Sequence, residues 1–169
     1  MTVEHIFVGG ERVQTLKERL RPSLKGVFVG INLSPVSVAA GHYYQGKLGK
    51  RFWKRLRDYQ ITGPLSLGAE DDDAYAQGFG FADLVRRPTR SSKDLSREEL
   101  VEGARELLMR LERLGDKPLI IFVFAKAADA AEEIVRESGH DTFRMPGPYE
   151  SKSIERRRMT DLRSALHKL

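Results

Sequence analysis

Residues 25–53 read KGVFVGINLSPVSVAAGHYYQGKLGKRFW. The apolar run Val27–Val29 ends at Gly30 and is apolar on both faces, as expected of a strand buried between two helical layers. A polar corner follows at Ile31-Asn32-Leu33-Ser34-Pro35, then a loop with Gly41, His42, Tyr43 and Tyr44. Residues 46–59 read as a helix, on which Phe52, Trp53 and Leu56 share a face by three- and four-residue spacing. Lys47, Lys50, Arg51, Lys54, Arg55 and Arg57 make the same segment basic, with no acid among them. A buried strand that stops at glycine and hands one Asn to a glycine- and aromatic-rich loop predicts a ligand pocket at the strand's carboxyl end.

Outward from this stretch, helices and strands alternate. Residues 3–8 predict a strand, and Gly9-Gly10 turns the chain so that residues 12–15 can pair back as a hairpin. Residues 16–20 are read as a helical turn stopped by Pro22. The acidic run Glu70-Asp71-Asp72-Asp73 reads as a solvated loop. Four adjacent acids lack the dispersed spacing of a cation site, so no metal is expected. Residues 81–85 are a short strand. Ser96 and Glu99 form a capping-box signature for a helix whose apolar face runs from Leu100 to Leu114 and stops at Gly115. LIIFVF at 119–124 is the clearest buried strand. A helix over 127–137, a short strand over 142–145 and a closing helix over 153–169 with Ile154, Met159, Leu162, Leu166 and Leu169 on one side complete the pattern. The expected fold is a three-layer α/β/α sandwich with a mainly parallel central sheet, in a single domain over residues 1–169.

The totals narrow the function classes. The chain has 169 residues, 40% apolar and 31% charged, the balance of a folded soluble domain. It has no cysteine, which removes disulfides and thiolate metal sites. No apolar run approaches the roughly 18 residues of a membrane helix, so no membrane partner is expected. The N-terminus lacks the basic start and long apolar stretch of a secretory signal, and a cytoplasmic location is expected, nucleoid-associated if bacterial. A net charge of +5 favours an anionic partner such as nucleic acid. The basic residues cluster in residues 47–57 and again in 151–169, on both sides of the expected pocket, which suits phosphate contacts that position without reading sequence.

Several segments together carry a resemblance. GINLSPVSVAAGHYY followed by FWK, then FADLVRRPT with SKDLS, then MPGPYES and a final helix containing DLR, resemble in order the mismatch-specific uracil/thymine-DNA glycosylase branch of the uracil-DNA glycosylase superfamily. The likeness runs from about residue 25 to the end; residues 1–24 stand outside it as an N-terminal extension packed on the domain. It implies a monofunctional glycosylase that flips uracil out of DNA, hydrolyses the N-glycosidic bond and leaves an abasic site, acting as a monomer, releasing free uracil and using no metal or organic cofactor. By position, Asn32 orients the attacking water, Tyr44 stacks on the extruded base, and Gly30, Ile31 and Leu33 offer main chain to the pyrimidine edge. Asp83 falls where a side chain reaches the base, Ser37 near the pyrimidine C5, and His42 and Met145 on the pocket's surroundings. Pro146, Gly147, Pro148 and Tyr149 fall on the loop that fills the vacated space in the duplex, with Ser151 and Lys152 beyond it. Lys47, Lys50 and Arg51 are expected on phosphates.

The sequence departs from that pattern in places. Leu33-Ser34-Pro35 stands where Pro-Gly usually follows the Asn. Asp83 stands where Asn or Lys is usual: ionised it can only accept from the uracil N3–H, protonated it can also donate, and it is a second candidate for activating water. Asn is also a common turn residue, and the pocket role for Asn32 rests on the motifs taken together. Two rivals stand beside the enzyme reading: a catalytically weak module that binds DNA or abasic sites on the same fold, and an unrelated small α/β enzyme that uses the loop after Gly30 for a nucleotide phosphate. The last lacks any glycine-rich phosphate loop.

Overall fold

A computed structural model describes residues 2–168. Four parallel strands form the central sheet in the order β4 (Phe79–Val85), β3 (Gly26–Asn32), β5 (Leu119–Phe122), β6 (Thr142–Arg144). The central strands β3 and β5 and the edge strand β4 are almost entirely buried, so their continuous apolar runs are what a sheet covered on both faces requires. One face carries Phe28, Phe81 and Ile121 and packs on α1 (Pro35–Ala40), α2 (Lys47–Asp58) and α6 (Lys152–His167). The other carries Val27, Val29, Leu84 and Ile120 and packs on α4 (Arg97–Glu112) and α5 (Ala125–Glu137). The expected α/β/α sandwich is therefore the fold. From β3 the chain moves to β4 on one side and later to β5 on the other, which opens a crevice beyond the carboxyl ends of β3 and β5.

The local signals explain most boundaries. Gly46 stands at the N-terminus of α2, and Phe52, Trp53 and Leu56 are its buried face. Ser96 and Glu99 make the reciprocal capping box on α4. Met159 and Leu162 bury the inner side of α6, while Ile154 is partly exposed; Leu169, assigned to the same stripe, lies outside the described residues.

Three segments differ from the sequence reading. Residues 16–20 do not form a helical turn: Leu16 ends β2 (Glu11–Leu16), and Arg19 bridges main chain to main chain with Phe81. Extending the chain there satisfies the open edge of β4, which a helical turn would leave unpaired. Ser34 caps a helix, α1, where a polar corner was expected; Pro35 at its first position supplies the fixed φ that helix starts favour. The acidic run is not a solvated loop but the first turn of α3 (Glu70–Ala76), with Glu70 and Asp71 buried. Acids at a helix N-terminus meet unpaired N–H groups, and these two also find partners in another loop.

Strand β1 (Val3–Val8) and β2 form an antiparallel hairpin anchored by Val3 and Leu16 in the core. Thr15 Oγ1 donates to the Arg86 carbonyl at 2.8 Å, so the hairpin extends past the carboxyl end of β4.

Helix α4 lies so close to β4 that a Cβ at Gly103 would collide with the Leu84 carbonyl. Gly103→Ala is expected to cost about 1–3 kcal/mol of overpacking, more than the roughly 1 kcal/mol that alanine adds to a helix interior. A lower urea midpoint with an unchanged slope checks this.

Candidate active site

The crevice at the carboxyl end of β3 holds a cavity of about 300 Å³, lined among others by Asn32, Leu33, Ser37, Tyr44, Asp83 and Phe124. Its floor is set by alternation along β3. Phe28, Gly30 and Asn32 point to the same side of the sheet, Phe28 into the core and Asn32 into the cavity. Gly30 lies between them, in register with Asp83. A Cβ at Gly30 would collide with Asp83 Oδ1 and come within 3.1 Å of the Tyr44 hydroxyl. The missing side chain thus makes room for one carboxyl and one phenol.

Asn32 is oriented from outside its own loop. Its Nδ2 donates to the Arg87 carbonyl at 3.0 Å and to Thr89 Oγ1 at 2.7 Å. Thr89 spends its own hydroxyl proton on the Ser91 carbonyl at 2.7 Å, so toward Asn32 it can only accept. Two acceptors fix which end of the amide is nitrogen. The Asn32 carbonyl oxygen makes no hydrogen bond among the described residues, and Asn32 lines the cavity, so this oxygen can accept a hydrogen bond from water. The Thr89 N–H also donates to the Leu33 carbonyl at 3.1 Å, tying the two loops together.

Asp83 is 4% exposed, and its Oδ2 is buried without a hydrogen-bond partner. Burial, reinforced by the charge of Glu18 and opposed by Arg86 and Arg110, raises its pKa to about 7. At neutral pH the carboxyl is divided between an acid that can donate and an anion that can only accept. The Tyr44 hydroxyl is likewise buried and unpartnered, and burial followed by the Asp83 charge pushes its pKa well above the ordinary phenol value. Two unsatisfied polar groups beside one cavity are what a polar ligand would complete.

Tyr44 is held hard. Its backbone has a positive φ of 56°, rare for a side-chain-bearing residue. Trp53 Nε1 donates to its carbonyl at 3.0 Å, and Gly49 passes so close beneath that carbonyl that a Cβ there would overlap it. Its ring lies 4.2 Å from Phe52 between centroids. The buried acids of α3 hold the rest of the loop: Asp71 accepts from the Tyr43 N–H at 3.0 Å and pairs with His42 Nδ1 at 2.7 Å, and Glu70 accepts from Gln45 Nε2 at 3.1 Å. Ser37 Oγ accepts from the Gln45 N–H at 3.2 Å.

The expected site residues therefore separate. Gly30, Asn32, Leu33, Ser37, Tyr44 and Asp83 meet at the cavity, with Lys47 on its rim. The Ile31 side chain packs into the opposite core, so only its main chain can face a ligand. His42 serves Asp71 and does not line the cavity. Met145 is buried in a neighbouring hollow on Tyr44 and Phe52. Pro146, Gly147 and Pro148 form the loop beyond it, with Tyr149 81% exposed at its end. Lys50 is exposed, and Arg51 donates to the Pro148 carbonyl at 3.3 Å. Ser151 caps α6, accepting from the Ile154 N–H at 3.3 Å, and Lys152 pairs with Glu155 at 3.1 Å. Among the described residues His42, Asp71 and Asp72 form the one group with metal-ligand spacing, but Asp71 is committed to main-chain N–H groups and Asp72 to Arg19. Thr89 and the Arg87 carbonyl were not singled out from sequence. The motif RRPT contained them, but nothing local says that a strand-end threonine will meet an Asn 57 positions earlier.

Comparison with known proteins gives the family. The family model of the Uracil DNA glycosylase superfamily matches residues 18–163, which include all the residues lining the cavity. A curated relative, the G/U mismatch-specific uracil DNA glycosylase of Schizosaccharomyces pombe, is 35% identical over 92 residues. That stretch is 52% of this chain and 27% of the relative, so the match spans little more than a quarter of the relative's length.

Two outcomes are expected. Thr89→Val keeps the shape but removes the acceptor that fixes the Asn32 amide, and turnover of the substrate should fall about tenfold, with Thr89→Ser restoring it. Asp83→Asn should stabilise the fold in a pH-dependent way. With its folded pKa near 7 and its ordinary value at 3.8, the unfolded chain binds fewer protons between those limits, so Asp83 lowers stability progressively as pH rises through that window. The gain in melting temperature for Asp83→Asn should therefore be small at pH 4 and largest above pH 7 by calorimetry.

Proposed function

The chain belongs to the uracil DNA glycosylase superfamily, and from that premise we propose that it removes uracil from DNA by swinging the nucleotide out of the duplex and hydrolysing its N-glycosidic bond, leaving an abasic site. The observation that carries this reading is the Asn32 amide, its nitrogen held by Arg87 and Thr89, at a cavity that Tyr44 and Asp83 also line. A neutral amide cannot remove a proton, but it can hold a water on one side of a sugar carbon. That suffices where the C1′–N1 bond is largely broken first.

A base inside a duplex is out of reach, so extrusion costs a few kcal/mol of unstacking. Stacking of the uracil on the Tyr44 ring offsets part of this. As the C1′–N1 bond breaks, its electron pair leaves with the base and the sugar becomes cationic. Asp83 in its protonated form donates to the pyrimidine O4, where negative charge collects on the departing uracil. Water held by Asn32 adds to C1′ and loses its proton to solvent. Lys47 at the rim and Lys50 on the same helix meet backbone phosphates. The relative's name makes uracil opposite guanine the first substrate to try, and a mismatched pair is also the cheaper one to open.

Incubation with a uracil-containing duplex, followed by alkaline cleavage at abasic sites, should give a strand break at the uracil. Asn32→Ala should slow it by roughly a hundredfold or more. Failure of the unaltered protein to release uracil from U·G, U·A and single-stranded substrates would overturn the enzyme reading. If it still bound abasic-site DNA, the binding-module alternative would take its place.

A further inference from the structure

The segment from Met145 to Glu150 leaves the sheet after β6 and has no strand or helix of its own. Such a loop is ordinarily among the more mobile parts of a fold. Here its main chain is gripped from α2. The Arg55 guanidinium donates three ways: Nε to Glu155 Oε1 at 2.8 Å, Nη1 to the Pro146 carbonyl at 2.9 Å and Nη2 to the Gly147 carbonyl at 2.7 Å. One turn earlier, Arg51 donates to the Pro148 carbonyl, and its guanidinium lies 5.4 Å from the centre of the Tyr149 ring. Side chains four residues apart share a helix face, so both arginines reach the loop together.

The Arg55–Glu155 pair is nearly closed to solvent, at 13% and 7% side-chain exposure. Burial opposes the Glu155 charge, yet hydrogen bonds from Lys152 and Arg55 hold its carboxyl below the ordinary value. A buried ion pair is costly to assemble and is kept where its geometry is needed. The planar fork satisfies one carboxylate oxygen and two successive carbonyls, a pattern lysine cannot reproduce. α2 also supplies Trp53 and Gly49, which fix Tyr44. One helix thus holds both the stacking ring and the loop.

We propose that Arg55 is a positioning residue that keeps the 146–149 loop in its duplex-filling shape before DNA arrives, with Glu155 as its counter-ion. This rests on the glycosylase reading. Arg55 touches neither base nor sugar; it removes the ordering cost that a free loop would meet on insertion. Its effect is confined to substrates whose base must be extracted from a stack.

Arg55→Lys keeps the charge and loses the fork. Single-turnover uracil release from U·G duplex should fall roughly tenfold to a hundredfold, while release from single-stranded DNA stays within about twofold. Arg105→Lys, on an exposed residue of α4, should change neither. An equal fall on both substrates would make Arg55 a support of the pocket and overturn the proposal, as would an unchanged rate on duplex. Amide hydrogen exchange of the free protein reads the loop without substrate. In Arg55→Lys, and in Arg55→Gln as a second variant, protection of the Glu150 N–H, which donates to the Gly147 carbonyl, should drop while α2 and α6 keep theirs; unaltered protection there would also overturn the clamp. If the unaltered protein releases no uracil from any substrate, it is the glycosylase reading that fails, and exchange still decides whether Arg55 holds the loop.

Discussion

A side chain at position 30 and a carboxyl at position 83 cannot occupy the same space. The two positions face each other across β3 and β4, and Asp83 Oδ1 sits where a Cβ on residue 30 would go. Much of the cavity follows from that exclusion. Glycine lets the sheet carry an ionisable group on its buried face, one residue pair below Asn32, and lets the Tyr44 hydroxyl approach from above. The result is a polar floor at the upper end of an otherwise aromatic face, with Phe28, Phe81, Phe52 and Trp53 packed beneath and beside it. Asp83 Oδ2 and the Tyr44 hydroxyl are buried, and charges there are less screened for that reason.

The ring above this floor is positioned by backbone strain that its neighbours sustain. Residues outside glycine hold a left-handed conformation at a cost of about 1–3 kcal/mol. Trp53, Gly49 and the α3 acids meet that cost for Tyr44 through one carbonyl hydrogen bond, one close approach and a set of buried carboxylates on the adjoining loop. α2 connects these supports to Arg55 and so to the loop after β6, which makes the pocket and the loop parts of one mechanical unit.

The sheet and most helices were legible in sequence because their signals are local. VFV, LIIFVF and the Ser96–Glu99 box need no distant partner to be read. The core of the site was legible as well: Gly30, Asn32, Tyr44 and Asp83 converge on one cavity, as their motifs predict. What escaped was long-range. An acidic run looks solvated unless one knows that the Tyr43 N–H and Gln45 will meet Asp71 and Glu70 from 25 to 28 positions away. Residues 16–20 look helical until the edge of β4 is present to pair with them. Arg51 reads from charge alone as a phosphate contact, and its hydrogen bond to the Pro148 carbonyl, 97 residues on, leaves no mark in the sequence. Partner identity across such separations is set by the fold, and a single sequence carries no local trace of it.

Asn32 is steered by the end of the neighbouring strand and not by the residues that follow it. Orientation comes from the Arg87 carbonyl and from Thr89, with Thr89 itself fixed on Ser91. The segment just after the asparagine is thereby relieved of a duty it would otherwise bear. Leu33 fills the cavity wall, Ser34 and Pro35 start a helix, and neither task constrains the amide. The holder of the amide and the side chains next to it can therefore be substituted independently of one another.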